Sequence, residues 1–164
     1  MTPQEISDKI KKHLADAVVD AKLEGVPDPW LKIAPAKILE VATLLNDDED
    51  MQFDFLNCLS GVDYTKGMLG VVYHCYSMTK RHKMCLKVEV PVATPEGAGP
   101  EVPSVSSIWP TANWHEREAY DMVGIVFTGH PDLRRILCPE DWDGFPLRKD
   151  FKVPEFYQGM KVPY

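Results

Sequence analysis

Residues Phe53–Val92 read FDFLNCLSGVDYTKGMLGVVYHCYSMTKRHKMCLKVEVPV, and this stretch sets the fold class. Three apolar runs, Phe53–Val62, Met68–Met78 and His82–Val92, are separated by two polar connections, Asp63–Gly67 and Thr79–Arg81. In the third run Met84, Leu86, Val88 and Val90 alternate with Lys83, Lys87 and Glu89. A period of two puts the first set on one face of a strand and the second on the other. Connections this short leave no room for a crossover, so neighbouring runs pair antiparallel.

Upstream, Thr2, Pro3 and Glu5 have the spacing of a capping box with proline at the first helical position. Ile6, Ile10, Leu14, Ala17, Val18 and Ala21 recur at helical spacing, and Gly25, Pro27 and Pro29 end the pattern. One helix is therefore expected from Pro3 to about Ala21. A short strand at Trp30–Ile33 follows. Pro35 opens a second helix through Leu45, with Ile38, Val41, Ala42 and Leu45 inward. The run Asp47-Asp48-Glu49-Asp50 reads as a solvated turn. The two helices would cover the apolar face of the sheet. This makes a two-layer α+β fold, helices packed on one face of a mostly antiparallel sheet.

Downstream the texture changes. Pro91–Pro103, PVATPEGAGPEVP, holds four prolines and two glycines and predicts an extended connection. Ser104–Trp109 reads as a helical turn, Thr111–Val123 as a helix closed by Gly124, and Ile125–Phe127 as a brief apolar run. An extended, irregular C-terminal tail completes the chain. The expected division is an α+β domain over 1–103, and a helix with tail over 104–164, within one structural unit.

At 164 residues one domain is expected, with roughly 70% of the unfolded surface buried. A net charge of −7 argues against nucleic acid as a partner, because phosphate binding needs a basic face. No run is apolar for long enough to span a bilayer, and the charged N-terminus lacks the apolar centre of a secretory signal, so a cytosolic setting is expected. Cys58, Cys75, Cys85 and Cys138 form no C-x-x-C pair, which removes the usual zinc and cluster motifs. A hairpin between Cys75 and Cys85 would permit a disulfide. In a cytosolic chain the expectation is four reduced, largely buried thiols.

Catalytic motifs fail on spacing. His115-Glu116 begins a metalloprotease pattern, but Ala119 stands where the second histidine belongs. There is no G-x-G-x-x-G, no phosphate-binding loop and no serine in a G-x-S-x-G context. His74 and His82 flank the hairpin bearing Cys75 and Cys85, yet alternation sends His74 and Cys75 to opposite faces. What remains is Trp114–Asp150, WHEREAYDMVGIVFTGHPDLRRILCPEDWDGFPLRKD, with four of the five arginines and eight acidic residues. Arginine suits paired charges in buried or interfacial settings. Arg117 and Asp121 are four apart and expected on one helix face. Surface pairs contribute only about 0–1 kcal/mol each. A cluster this dense therefore reads either as a solvated helix face with a charged loop or as a network built for specific docking. The second reading is favoured.

These residues also carry a family resemblance. Glu116-Arg117-Glu118, Asp121-Met122-Val123, His130, Arg134 and Ile136-Leu137 follow the signature of the thirty-kilodalton subunit family of respiratory complex I. The continuation through Gly129–Arg135, Pro139–Trp142 and Pro146–Asp150 is similar to that family as well. The resemblance implies a non-catalytic subunit in the hydrophilic arm of a proton-translocating NADH:quinone oxidoreductase. It implies no cofactor and no metal in this chain, while the whole complex uses FMN, iron–sulfur clusters, NADH and quinone. It implies contacts with two other complex I subunits, the forty-nine-kilodalton-like D subunit and the B subunit, with the tail wrapping the partner. It places the chain peripherally on the cytoplasmic side of the bacterial plasma membrane. The partner-binding residues it implies are Glu116, Arg117, Glu118, Asp121, His130, Arg134, Arg135 and Arg148. The chain ends soon after the signature, like the form that is not fused to the D subunit. The equivalent subunit of an energy-converting hydrogenase is a second expectation, and a small enzyme using His115, Glu116 and His130 a third.

Overall fold

The computed structural model describes residues 1–92 and 100–162. Helix α1 spans Pro3–His13, and its first turn is closed reciprocally: Glu5 N–H donates to Thr2 Oγ1, and Thr2 N–H donates to the Glu5 carboxylate. It stops well short of Ala21. Leu14 leaves the helical region, and the chain turns into strand β1, Val18–Lys22. Ala17, Val18 and Ala21 therefore do not extend the helical stripe, and that expectation is corrected. The β-branched pair Val18-Val19 favours extended backbone, and β1 gains an antiparallel ladder with β2, Trp30–Ile33. Tertiary pairing overrides a helical recurrence that the sequence carries into a strand.

A single 3-10 turn, Pro35–Lys37, leads into α2, Ile38–Asp47, which buries Ile38, Val41, Ala42 and Leu45. The three apolar runs become β3 (Phe55–Asp63), β4 (Met68–Tyr76) and β5 (Lys83–Pro91), paired antiparallel in sequence. Strand β2 lies parallel beside β5, so the sheet is mixed but mostly antiparallel, in the order β1-β2-β5-β4-β3. The fold is the α+β arrangement expected.

Register decides the cysteine question. Cys75 stands opposite Met84, and His74 opposite Cys85. Cys75 therefore faces the helices and Cys85 the other side of the sheet, so the two cannot bridge. All four thiols are free, two buried and two partly exposed.

Beyond residue 99, β6 (Glu101–Pro103) pairs parallel with β7 (Val126–Thr128). Most of the expected extended connection, residues 93–99, lies outside the described residues. Val105 C=O accepts the N–H groups of Ile108 and Trp109, forming the expected turn, and Trp109 Nε1–H donates to Phe53 C=O at 2.7 Å. Helix α3, Ala112–Val123, ends at Gly124, whose φ of 83° is the left-handed cap that glycine supplies. This third helix also lies on the sheet, against β3. Gly61 permits the approach, since a Cβ there would sit 3.1 Å from Ala119 Cβ and 3.2 Å from Val123 Cγ2. One continuous core joins Ile6, Val41 and Val71 to Val102, Trp109, Val123 and Phe127. The tail is irregular apart from a small hairpin, β8 (Phe156–Tyr157) with β9 (Met160–Lys161). Among the described residues no helix is long and apolar enough to cross a membrane.

Replacing Gly61 by valine should force α3 off β3. Overpacking of this kind costs about 2 kcal/mol, so the thermal midpoint should fall by roughly 5 °C. An unchanged midpoint in differential scanning calorimetry would mean that α3 is not seated on β3.

Candidate functional site

The site is built around Asp121, in the last turn of α3. Its Oδ2 accepts three successive backbone N–H groups, from Ile136 (2.9 Å), Leu137 (2.6 Å) and Cys138 (2.9 Å). Its Oδ1 accepts Arg135 Nη1 at 2.8 Å. Arg135 also donates to the carbonyls of Asp121 and Gly144. Burial opposes ionisation of the Asp121 carboxyl, but the N–H groups and the guanidinium outweigh it and hold the group below its usual range. One side chain thus turns an irregular loop into a fixed one.

The loop is fastened at further points. Phe145 lies against Gly124, where an added Cβ would meet its ring at 2.6 Å, and the Arg135 and Arg148 guanidiniums lie over that ring. Leu147 N–H donates to Met122 C=O, and Lys149 N–H donates to the Asp63 carboxylate on the far end of β3.

A second buried carboxylate lies on the other side of α3. Glu116 accepts Ser104 Oγ–H at 2.6 Å and Val105 N–H at 2.8 Å, tying the helix to the turn after β6. The His130 ring is close, with Nε2 3.9 Å from Glu116 Oε2. His130 Nδ1 accepts Asp132 N–H, so Nε2 carries the hydrogen and donates it to Asn113 C=O at 3.1 Å. Burial pushes the Glu116 carboxyl up to about 7, while the two donors restrain the rise.

The structure brings the expected residues together, but mostly inside the chain. Glu116, Asp121 and His130, expected to meet a partner, have no exposed side-chain surface in the isolated chain. Arg117 is buried as well, and Arg135 and Arg148 are largely covered. The anticipated Arg117–Asp121 pairing is absent: Arg117 Nε donates to Arg134 C=O, and the loop supplies Arg135 to Asp121 instead. A helical spacing of four cannot compete with a loop that offers one guanidinium and three N–H groups. Glu118 and Arg134 do reach the surface, Arg134 at 65% side-chain exposure and bonded to Asp132. His115, Glu116 and His130 do not act as a set, since His115 Nδ1 accepts Leu59 N–H on the sheet side of the helix. Among the described residues no group of three or more His, Cys, Asp or Glu could hold a metal.

The outward face carries residues that sequence reasoning passed over. Trp114 is 62% exposed, with the Arg117 guanidinium 4.9 Å from its ring, and Leu137 and Leu147 are 61% and 58% exposed on the fastened loop. Single exposed leucines are ordinary. A tryptophan and two leucines on one helix and the loop clamped to it are not. The available signal was Trp114 itself, off the Ala112–Ala119–Val123 stripe that faces the core.

Comparison with known proteins bears on all of this. The family described as respiratory-chain NADH dehydrogenase, 30 Kd subunit, matches residues 31–157. The NADH-quinone oxidoreductase C subunit of Chloroherpeton thalassium is 51% identical over 158 residues, covering 94% of this chain and 63% of that protein. The chain thus spans less than two thirds of that relative's length. The C subunits of Chlorobium phaeobacteroides and Roseiflexus sp. (strain RS-1) are 52% and 46% identical, over 76% and 88% of this chain and 74% and 81% of theirs. A chain of the membrane-bound sulfane sulfur reductase, an archaeal respiratory membrane complex, has the same fold, with a TM-score of 0.73 at 23% identity, covering 92% of this chain and 85% of that one.

The clamp itself is open to measurement. Asp121→Ala would leave Arg135 and three N–H groups without their acceptor, a loss of about 3–5 kcal/mol. Limited proteolysis should then cut residues 131–150 first, with a lowered thermal midpoint. A cleavage pattern and midpoint identical to those of the unaltered chain would show that the loop is held by something else.

Proposed function

The chain belongs to the family of the respiratory-chain NADH dehydrogenase 30 Kd subunit, and we propose that it is a non-catalytic scaffolding subunit of proton-translocating NADH:quinone oxidoreductase. One observation carries this reading: the charged constellation of α3 and its loop is satisfied within the chain, and its product is a fixed outward face bearing Trp114, Glu118, Arg134, Leu137 and Leu147. Tryptophan and arginine are the residue types that dominate binding energy at protein interfaces. A loop already ordered before contact loses little conformational freedom on docking.

On this reading the buried residues Glu116, Asp121, His130 and Arg135 act one step removed, by holding the docking face in shape. The partners are the D and B subunits of the complex. The flavin, the iron–sulfur clusters, NADH and the quinone belong to other subunits. The chain reaches the cytoplasmic face of the membrane through that assembly. A second reading is an equivalent subunit of a membrane-bound energy-converting hydrogenase or related dehydrogenase; the likeness of fold to a chain of an archaeal respiratory membrane complex supports it, and it differs in the subunits that co-purify.

Trp114→Ala and Arg134→Glu alter exposed side chains of the outward face and leave the apolar core unchanged. Both variants should keep the thermal midpoint of the isolated chain within about 2 °C, given the small effect of surface substitutions, yet recover far less of the NADH:quinone oxidoreductase complex in affinity purification. Recovery equal to that of the unaltered chain would refute the docking face. Co-purifying hydrogenase subunits in place of an NADH-oxidising flavin module would select the second reading.

A further inference from the structure

Ser106 Oγ is 2.7 Å from Ser104 Oγ, and Ser104 Oγ is 2.6 Å from Glu116 Oε2. Ser106 is partly exposed, Ser104 is buried, and Glu116 is fully enclosed. Three oxygen atoms therefore run in hydrogen-bond contact from the surface to a carboxylate in the core. Backbone groups fix the geometry at both ends. Val105 N–H donates to Glu116 Oε1, and Ser106 N–H donates to Ser104 Oγ.

Among the described residues, the surroundings of Glu116 supply no permanent countercharge. On its own helix, Arg117 is turned to Arg134 C=O and the Trp114 ring, and His115 to Leu59 N–H. From the loop after β7, His130 faces the carboxylate, with Nδ1 accepting Asp132 N–H and Nε2 directed at Asn113 C=O. From β4, Tyr73 brings a buried hydroxyl that lacks a hydrogen-bond partner and lies within electrostatic reach of Glu116. A buried carboxylate without a cation is strongly disfavoured unless it takes up a proton.

We propose that Glu116 is a buried proton-binding site of this chain, loaded and emptied through the Ser104–Ser106 hydroxyl pair. In the loading direction a hydronium ion at the surface gives a proton to Ser106 Oγ and becomes water, Ser106 passes its own to Ser104 Oγ, and Ser104 passes its own to Glu116 Oε2. Each hydroxyl gains one proton and loses one, so within the chain only the carboxylate changes charge, matched by hydronium becoming water. The reverse sequence empties the site. The site needs neither a partner chain nor a cofactor, so its proton binding is read on the free chain, whether or not the docking reading holds.

The carboxyl titrates near 7 rather than at its ordinary 4.5, with burial as the main cause. The folded chain thus binds a proton at pH values where the unfolded chain has released it. Stability from that proton is fully present below pH about 4.5 and is lost as pH rises through about 7.

The test is an infrared titration of the full chain across the acidic and neutral range, following the C=O stretch of a protonated carboxyl. One band should disappear with a midpoint near pH 7, and Glu116→Gln should lack it. Ser104→Ala removes a donor that favours the charged form, so proton binding should tighten, by roughly tenfold for one hydrogen bond to a charged group. The same substitution interrupts the relay and should slow exchange of the carboxyl proton in a pH-jump experiment. A midpoint near 4.5, a band that survives in Glu116→Gln, or a Ser104→Ala chain with unaltered midpoint and exchange rate would overturn the proposal. Should Glu116→Gln fail to fold, the unaltered chain and Ser104→Ala decide it alone.

Discussion

The carboxylate of Asp121 sits where a helix least favours one. The C-terminal turn of α3 presents the negative end of its dipole, and the side chain has no contact with water. Three N–H groups from Ile136, Leu137 and Cys138 and the Arg135 guanidinium converge on it and reverse the balance. The dependence is mutual. Without those donors Asp121 would be an unpaired buried charge, and without Asp121 three consecutive N–H groups in an irregular loop would have no acceptor. A segment with no helix or strand of its own must satisfy its backbone somewhere, and here most of that demand falls on one residue of α3.

The location of that residue sets what the loop can do. Helix α3 is fixed on β3 through the close approach at Gly61, so whatever Asp121 holds is referred to the sheet. Phe145 against Gly124 and Lys149 on Asp63 repeat the arrangement further along the chain. The loop inherits the rigidity of the core without contributing regular structure. Its exposed side chains are thereby held at fixed positions relative to Trp114, which Arg117 steadies from below.

The strands were legible because the chemistry that forms them is local. Met84, Leu86, Val88 and Val90 alternate with charged residues, the connections are short, and β3 to β5 pair as the pattern requires. The end of α1 was not legible, because Ala17, Val18 and Ala21 satisfy helical spacing while the partner that claims them, β2, lies further along the chain and pairs in space. The same limit applies at the site. The sequence of α3 and its loop contains the right residues, and the family resemblance singled them out. Which of them face inward depends on where Ser104, His130 and the loop amides lie, and no spacing along one helix encodes that. The expected pairing of Arg117 with Asp121 failed for this reason. Trp114 went unnoticed because a lone tryptophan in a charged segment has no periodic partner to reveal its direction.

Two carboxylates of one helix illustrate how burial alone determines neither charge nor role. Asp121 and Glu116 are both closed to solvent, Glu116 lying the deeper of the two, and their affinities for protons shift in opposite directions. Burial raises both, more strongly at the deeper Glu116, and the donors widen the difference. Asp121 has three amides and a permanent cation, Glu116 one amide and one hydroxyl that can itself turn and accept. Amides cannot reverse, so the site they line is committed to an anion. A hydroxyl can serve either protonation state, so the site it lines can switch. The first suits a clamp that must not open as pH varies about neutrality. The second leaves α3 with one charge that solvent can still set, joined to the surface by Ser104 and Ser106 and set apart from the clamp that holds the docking loop.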